Sequence, residues 1–141
     1  MTTALDIAVI LVAILAIAAV LSAIHRRYLC CLAAERSGES ICQFARSFNY
    51  RRLDTGVIRA VYEEVQAYIR PEHPAFPLRA TDHFEDTLRI DPENVEELIS
   101  DIAQRCGRSL DDAERNPHWS GLYTVGALVH FLCAQPKTQV A

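Results

Sequence analysis

Side chains able to do covalent or acid–base work are thinly spread along this chain. A nucleophilic centre needs a serine, cysteine or lysine with a base in reach, and the one lysine is Lys137, near the C-terminus. His73, His83, His118 and His130 are scattered, with no two at a ligand spacing such as HxxxH. The cysteines Cys30, Cys31, Cys42, Cys106 and Cys133 are odd in number and form no CxxC pair. No disulfide framework or zinc site is expected, and the chain reads as facing a reducing compartment. What does cluster is carboxylate: Asp91, Glu93, Glu96, Glu97 and Asp101, preceded by Asp82, Glu85 and Asp86. A general acid needs a buried carboxyl with a raised pKa, and Glu93, Glu96, Glu97 and Asp101 fall on a solvated helix face, with Asp82, Glu85 and Asp86 in the loop before it. No glycine-rich phosphate loop is present, and the chain is expected not to be an enzyme. The acidic face then has two uses, solubility alone or docking to a basic patch on a partner protein.

The element that must position these acids is a helix between Asp91 and Gly107. Asp91 suits the N-cap, Pro92 the first helical position and Gly107 the residue just past the end. Val95, Leu98, Ile99, Ile102 and Cys106 recur at steps of three and four and form the inner face.

This stretch resembles the acyl carrier protein family around its attachment site, where a Phe, two acids, Leu, Gly, a small residue, Asp, Ser and Leu lead into a helix with a Glu-Leu pair. Phe84, Leu88, Asp91, Glu97, Leu98 and Gly107 fall in that register. Tyr123 to Leu132 is similar to the segment that opens the family's last helix, and the resemblance spans roughly Asp54 to Cys133. It implies a four-helix bundle with three longer helices and one short one. It also implies partner docking through the acidic helix, by Asp91, Glu93, Glu96, Glu97 and Asp101. The sequence departs from the family where the chemistry lies. The serine that bears the 4′-phosphopantetheine arm follows the Asp directly, and here that position is Pro92, while Arg89 replaces the usual Gly. No serine or threonine stands within four residues of Pro92, so no phosphopantetheine is expected there and no other cofactor is implied.

The rest of the chain divides by composition. Ile7 to Ile24 is an uncharged apolar run, about 27 Å long as a helix and enough for most of a hydrocarbon core once Leu5 and flanking residues are added. Residues 5–27 are read as a single transmembrane anchor. Arg26 and Arg27 follow the run and only an acid precedes it, so the N-terminus is placed outside and the C-terminal domain in the cytoplasm, at the inner membrane if the source is bacterial. Residues 1–53 hold six arginines against three acids, and residues 54–141 hold eight basic residues against fifteen acids. The acidic distal part argues against a nucleic-acid partner. Residues 28–53 read as an amphipathic juxtamembrane linker, either lying on lipid or packing on the distal domain.

Within the domain, residues 54–134, Asp54 caps a helix to about Ile69 with a stripe of Val57, Ile58, Val61, Val65 and Tyr68. Arg70-Pro71 ends it, and Pro71, Pro74 and Pro77 stiffen a long loop. Ser109 to Asn116 is expected to make a short helical turn capped by Ser109. His118 to Gly121 is expected to be a loop whose Trp119 covers the edge of the core, and Thr124 to cap the last helix. Residues 135–141 are expected to be a disordered tail. The fold class is thus all-α, an acyl-carrier-like bundle behind one transmembrane helix. The leading expectation is a membrane-anchored docking module. A carrier modified at another hydroxyl, with Ser100 and Ser109 the nearest downstream, and a small accessory subunit of a membrane complex are the alternatives. The last would pack through Ala13, Ala16, Ala18, Ala19 and Ala23.

Overall fold

A computed structural model describes residues 2–69 and 76–139, and among these the chain is all-helical. Its helices are α1 (Thr2–Glu35), α2 (Ile41–Arg46), α3 (Thr55–Ile69), α4 (Pro92–Arg105) and α5 (Val125–Ala134), with single 3-10 turns at Ala113–Arg115 and Trp119–Gly121. Two isolated bridges, His83 with Thr124 and Arg108 with Lys137, are the only β-type pairings among the described residues. The helix end expected at Arg70-Pro71, the loop prolines Pro71 and Pro74, and His73 lie outside the described residues.

Helix α1 is long and apolar enough to cross a membrane, and none of its apolar window is buried by the rest of the chain. It does not stop where the apolar run stops. It continues to Glu35, and Leu29, Ala33 and Arg36, at steps of four and three, turn one face into the folded part and are buried there. A break follows at Gly38, whose φ of 91° suits a residue without Cβ. α2 and the turn after it then lay Phe44 and Phe48 into the same core. Phe44 meets both Phe48 and Tyr62 with ring centroids 5.1 Å apart. Leu29, Ala33, Phe44 and Phe48 thus pack residues 28–53 onto the bundle.

Helix α3 is the centre of the bundle and packs against α2, α4 and α5. Asp54 caps it, accepting from the Gly56 amide at 2.9 Å. Its buried face runs through Val57, Ile58, Val61, Tyr62, Val65 and Ile69. Tyr68, expected in that stripe, is 44% exposed. By the last turn the buried side has moved to Val65 and Ile69, and Tyr68 stands beside it. Gln66 closes the helix against the returning chain by donating to the Phe76 carbonyl at 3.0 Å.

The segment 76–91 has no regular structure, yet it buries Phe76, Leu78, Asp82, Phe84, Leu88 and Ile90. Its backbone is clasped to the start of α5, where Val125 donates to the Asp82 carbonyl and Gly126 to the Ala80 carbonyl at 2.8 Å. A Cβ on Gly126 would sit 2.8 Å from that same Ala80 oxygen, so this close approach requires glycine. Thr124 caps α5 through its side chain, accepting from the Ala127 amide at 3.1 Å. Val125, Leu128, Val129 and Leu132 face inward as expected, joined by Phe131.

α4 starts at Pro92 and ends in a hydrogen-bonded Schellman turn. Arg108 donates to the Ala103 carbonyl, Gly107 donates to the Gln104 carbonyl, and Gly107 has φ 63°. The N-cap differs from expectation. Asp91 occupies the position with extended backbone, but its side chain makes no capping bond. The helical turn expected from Ser109 is also shorter. Ser109 Oγ accepts from the Asp111 amide instead, and only Ala113–Arg115 is helical. The expected loop at His118 to Gly121 contains a 3-10 turn.

The tail is held rather than frayed as far as Thr138. Gln135 is 4% exposed, its amide Nε2 donates to the Ser109 carbonyl, and Thr138 donates to the Gly107 carbonyl at 2.7 Å. Arg108 ties this junction together, donating to the Gln135 carbonyl at 2.9 Å and to Asp54 Oδ2 at 2.7 Å. Partial burial would raise the Asp54 carboxyl, but the Gly56 amide and the Arg108 guanidinium outweigh it and hold the group below its ordinary range.

Candidate functional site

Three features meet near the start of α4. The first is its outer face. Asp91, Glu93, Glu96, Glu97 and Asp101 are all exposed, as the periodicity requires once Val95, Leu98 and Ile102 point inward. None of the five forms an ion pair among the described residues. By contrast, Glu39 holds Arg79, Asp54 holds Arg108, Glu63 and Glu64 share Arg105, and Asp82 holds Arg36. The Arg79 side chain keeps the Glu39 carboxyl below its ordinary value through hydrogen bonding. The paired acids are thus neutralised locally, while the α4 face keeps its negative potential.

The second feature is an apolar cavity of about 530 Å³ beside that face. Pro92, Val95 and Ile99 of α4 line it, together with Leu110, Trp119 and Leu122 from the segment between α4 and α5. Phe84 closes it from the core side, with Glu85, Asp86 and Glu96 at its polar edge. Trp119 packs on Phe131 with ring centroids 5.9 Å apart, as a residue at the edge of the core should. It is also 46% exposed and lines the cavity, which the sequence reading did not anticipate. Pro92 is exposed and borders the cavity.

The third feature joins the long helix to this region. Arg36, just past α1, is 5% exposed and Asp82 is 2% exposed. The guanidinium donates twice to the carboxylate, at 2.7 and 2.6 Å, and once to the Pro77 carbonyl at 3.0 Å. Asp82 also accepts from the Arg79 amide at 2.8 Å, so both carboxylate oxygens are occupied. Higher on α1, the Tyr28 hydroxyl donates to the Thr87 carbonyl at 2.8 Å, and the Arg89 guanidinium lies 4.0 Å from the centroid of the Tyr28 ring. The sequence reading missed both contacts. The spacing of Leu29, Ala33 and Arg36 was the available signal, since it places an arginine on the same helix face as two small or apolar residues.

Other reactive groups stay apart from this region. Cys106 and Cys133 are half-buried, and burial pushes both thiols up, away from the nucleophilic thiolate. His83 approaches Asp86 at 3.9 Å on the surface. Among the described residues, no group of three or more His, Cys, Asp or Glu is arranged to hold a metal ion.

The chain is therefore an all-helical protein in which one long apolar helix, able by length and composition to cross a membrane, runs directly into a helical bundle. Comparison with protein-family models, with curated proteins and with solved structures finds no match.

Proposed function

We propose that the chain is a non-enzymatic, membrane-anchored docking module. Its bundle is of acyl-carrier type, and it binds a cytoplasmic partner through the acidic face of α4. The observation that carries this reading is the contrast in pairing. Glu39, Asp54 and Asp82 each have an arginine and Glu63 and Glu64 share Arg105, while the adjoining Asp91, Glu93, Glu96, Glu97 and Asp101 have none among the described residues. A face left unneutralised accelerates encounter with a basic surface and rejects acidic ones. Residues 5–27 would hold the module in the bilayer, with Arg26 and Arg27 on the cytoplasmic side. The resemblance to acyl carriers supplies a history for such a face, because in that family the corresponding helix presents acids to basic patches on partner enzymes. Pro92 has no hydroxyl to bear an arm, yet it suits the first turn of a helix, so the loss of the arm costs the fold nothing there.

Charge reversal tests the docking face. Glu96→Lys with Glu97→Lys in the full-length chain should abolish recovery of the bound partner in a pull-down from the native host, because both exposed acids become repulsive. Undiminished recovery would sink the docking reading. Intact mass separates this module from a working carrier. The protein purified from its native host should have its unmodified mass, since Ser100 lies two turns into α4 and Ser109 Oγ is engaged with Asp111. A gain of pantetheine size would put the carrier reading first.

A further inference from the structure

The membrane-facing edge of the bundle is set by how α1 enters it, and the inference here rests on the anchoring proposed above. Ile24 closes the apolar run, and Tyr28 stands four residues further on, about 6 Å along the helix axis. That distance matches the headgroup layer, which extends about 5–8 Å beyond the hydrocarbon on each side. Helical side chains lean towards the N-terminus of their own helix, which for Tyr28 is the membrane side. The Tyr28 hydroxyl holds the Thr87 carbonyl at 2.8 Å, so the loop that leads into α4 is fixed at headgroup level.

Arg89 occupies that loop in an unusual way. Its φ is 54°, in the left-handed region that glycine adopts freely and an arginine does not. Buried Leu88 and Ile90 pin the backbone on either side. The guanidinium, stacked over the Tyr28 ring, belongs to an exposed residue and makes no ion pair among the described residues. Glu85 and Asp86, the acids of the same loop, line the cavity, and Arg89 does not. The ring contact engages the guanidinium without using its N–H groups, and on an exposed side chain these remain able to fit a phosphate with two parallel hydrogen bonds. Arg27, exposed beside Tyr28 on α1, adds positive charge at the same level.

We propose that Arg89, stacked on Tyr28, is a binding site for the phosphate of an anionic phospholipid headgroup, which also orients the bundle against the bilayer.

The test uses the full-length protein in nanodiscs of phosphatidylcholine containing phosphatidylglycerol, with retained lipid counted by native mass spectrometry. Arg89→Gly removes the guanidinium and relaxes the backbone, so it should fold at least as well as the parent. It should lower phosphatidylglycerol retention about fivefold, the factor expected for one arginine at an anionic surface. Arg89→Lys should fall between the two. Equal retention by the parent and Arg89→Gly overturns the site. Inorganic phosphate should not displace the lipid from the parent, and displacement at millimolar phosphate would overturn the lipid assignment in favour of a soluble phosphate. Carbonate extraction of native membranes separates this site from the anchoring reading. Recovery of the protein in the aqueous fraction would overturn the anchor and the headgroup site together. Retention in the membrane with no effect of Arg89→Gly would overturn the headgroup site alone.

Discussion

Asp82→Ala is expected to destabilise the folded bundle by about 3–5 kcal/mol, the range for removing one partner of a buried ion pair. The carboxylate is 2% exposed and accepts two bonds from Arg36 and one from the Arg79 amide. Alanine would leave a guanidinium that is 5% exposed with only the Pro77 carbonyl and the face of Phe76, 5.8 Å from the ring centroid. It would also free the turn at Arg79, whose amide would lose its acceptor. Urea unfolding of the full-length chain in detergent, followed by fluorescence of its single tryptophan, Trp119, measures the change. The double change Arg36→Met with Asp82→Leu should recover much of the loss, because apolar replacement of both partners is often neutral or better. A loss for Asp82→Ala well below about 1 kcal/mol would mean that the pair is as weak as an exposed one. The pair also has a mechanical meaning. It lies where the membrane-length helix enters the bundle, so its rupture should loosen the orientation of α4 relative to α1 as well as lower stability.

Phe84→Ala is expected to cost about 3–5 kcal/mol, the range for a buried aromatic truncated to a methyl group. Phe84 is 2% exposed and stands between the core and the apolar cavity. Its amide donates to the Tyr123 carbonyl at 2.9 Å and its carbonyl accepts from Ile90 at 2.8 Å. The backbone bonds would survive the change, while the ring volume would be lost next to space that is already open. Little collapse can therefore offset the loss, and the cost should fall high in the range. The same unfolding experiment reads it. A cost below about 1 kcal/mol would show that the segment 76–91 repacks freely and that its place in the core is not specific.

Much of the bundle could be read from neighbours along the chain. The start of α4 at Pro92, its termination by the turn at Gly107, the caps at Asp54 and Thr124, and the inward positions of α5 are all decided within about four residues. Capping bonds, proline geometry and a left-handed glycine depend on little else. The same local logic overreached at Asp91 and Ser109, where a suitable residue type stood in the right place but its side chain bonded differently. The acidic face of α4 was legible too, since periodicity alone turns those acids outward once the apolar positions turn in.

Other features depend on where the chain returns. Arg36 and Asp82 are 46 positions apart, and a charged residue in isolation reads as surface because burying it alone is costly. Only the folded chain shows that each offsets part of that cost for the other, with Arg36 Nε left buried and unpaired. Tyr28 and Thr87 are 59 positions apart, so nothing local announces that the loop before α4 is pinned to the long helix. Gln135 looks like the start of a polar tail, and it becomes buried because Ser109 and Asn116 present partners to its amide. By itself the sequence determined the main helices, the caps at Asp54 and Thr124 and the acidic face, which rest on short-range hydrogen bonding and periodic burial. Tertiary structure alone decided that the C-terminal end of the long helix and the bundle share one core, because that requires long-range pairs whose desolvation is offset only when both members arrive together.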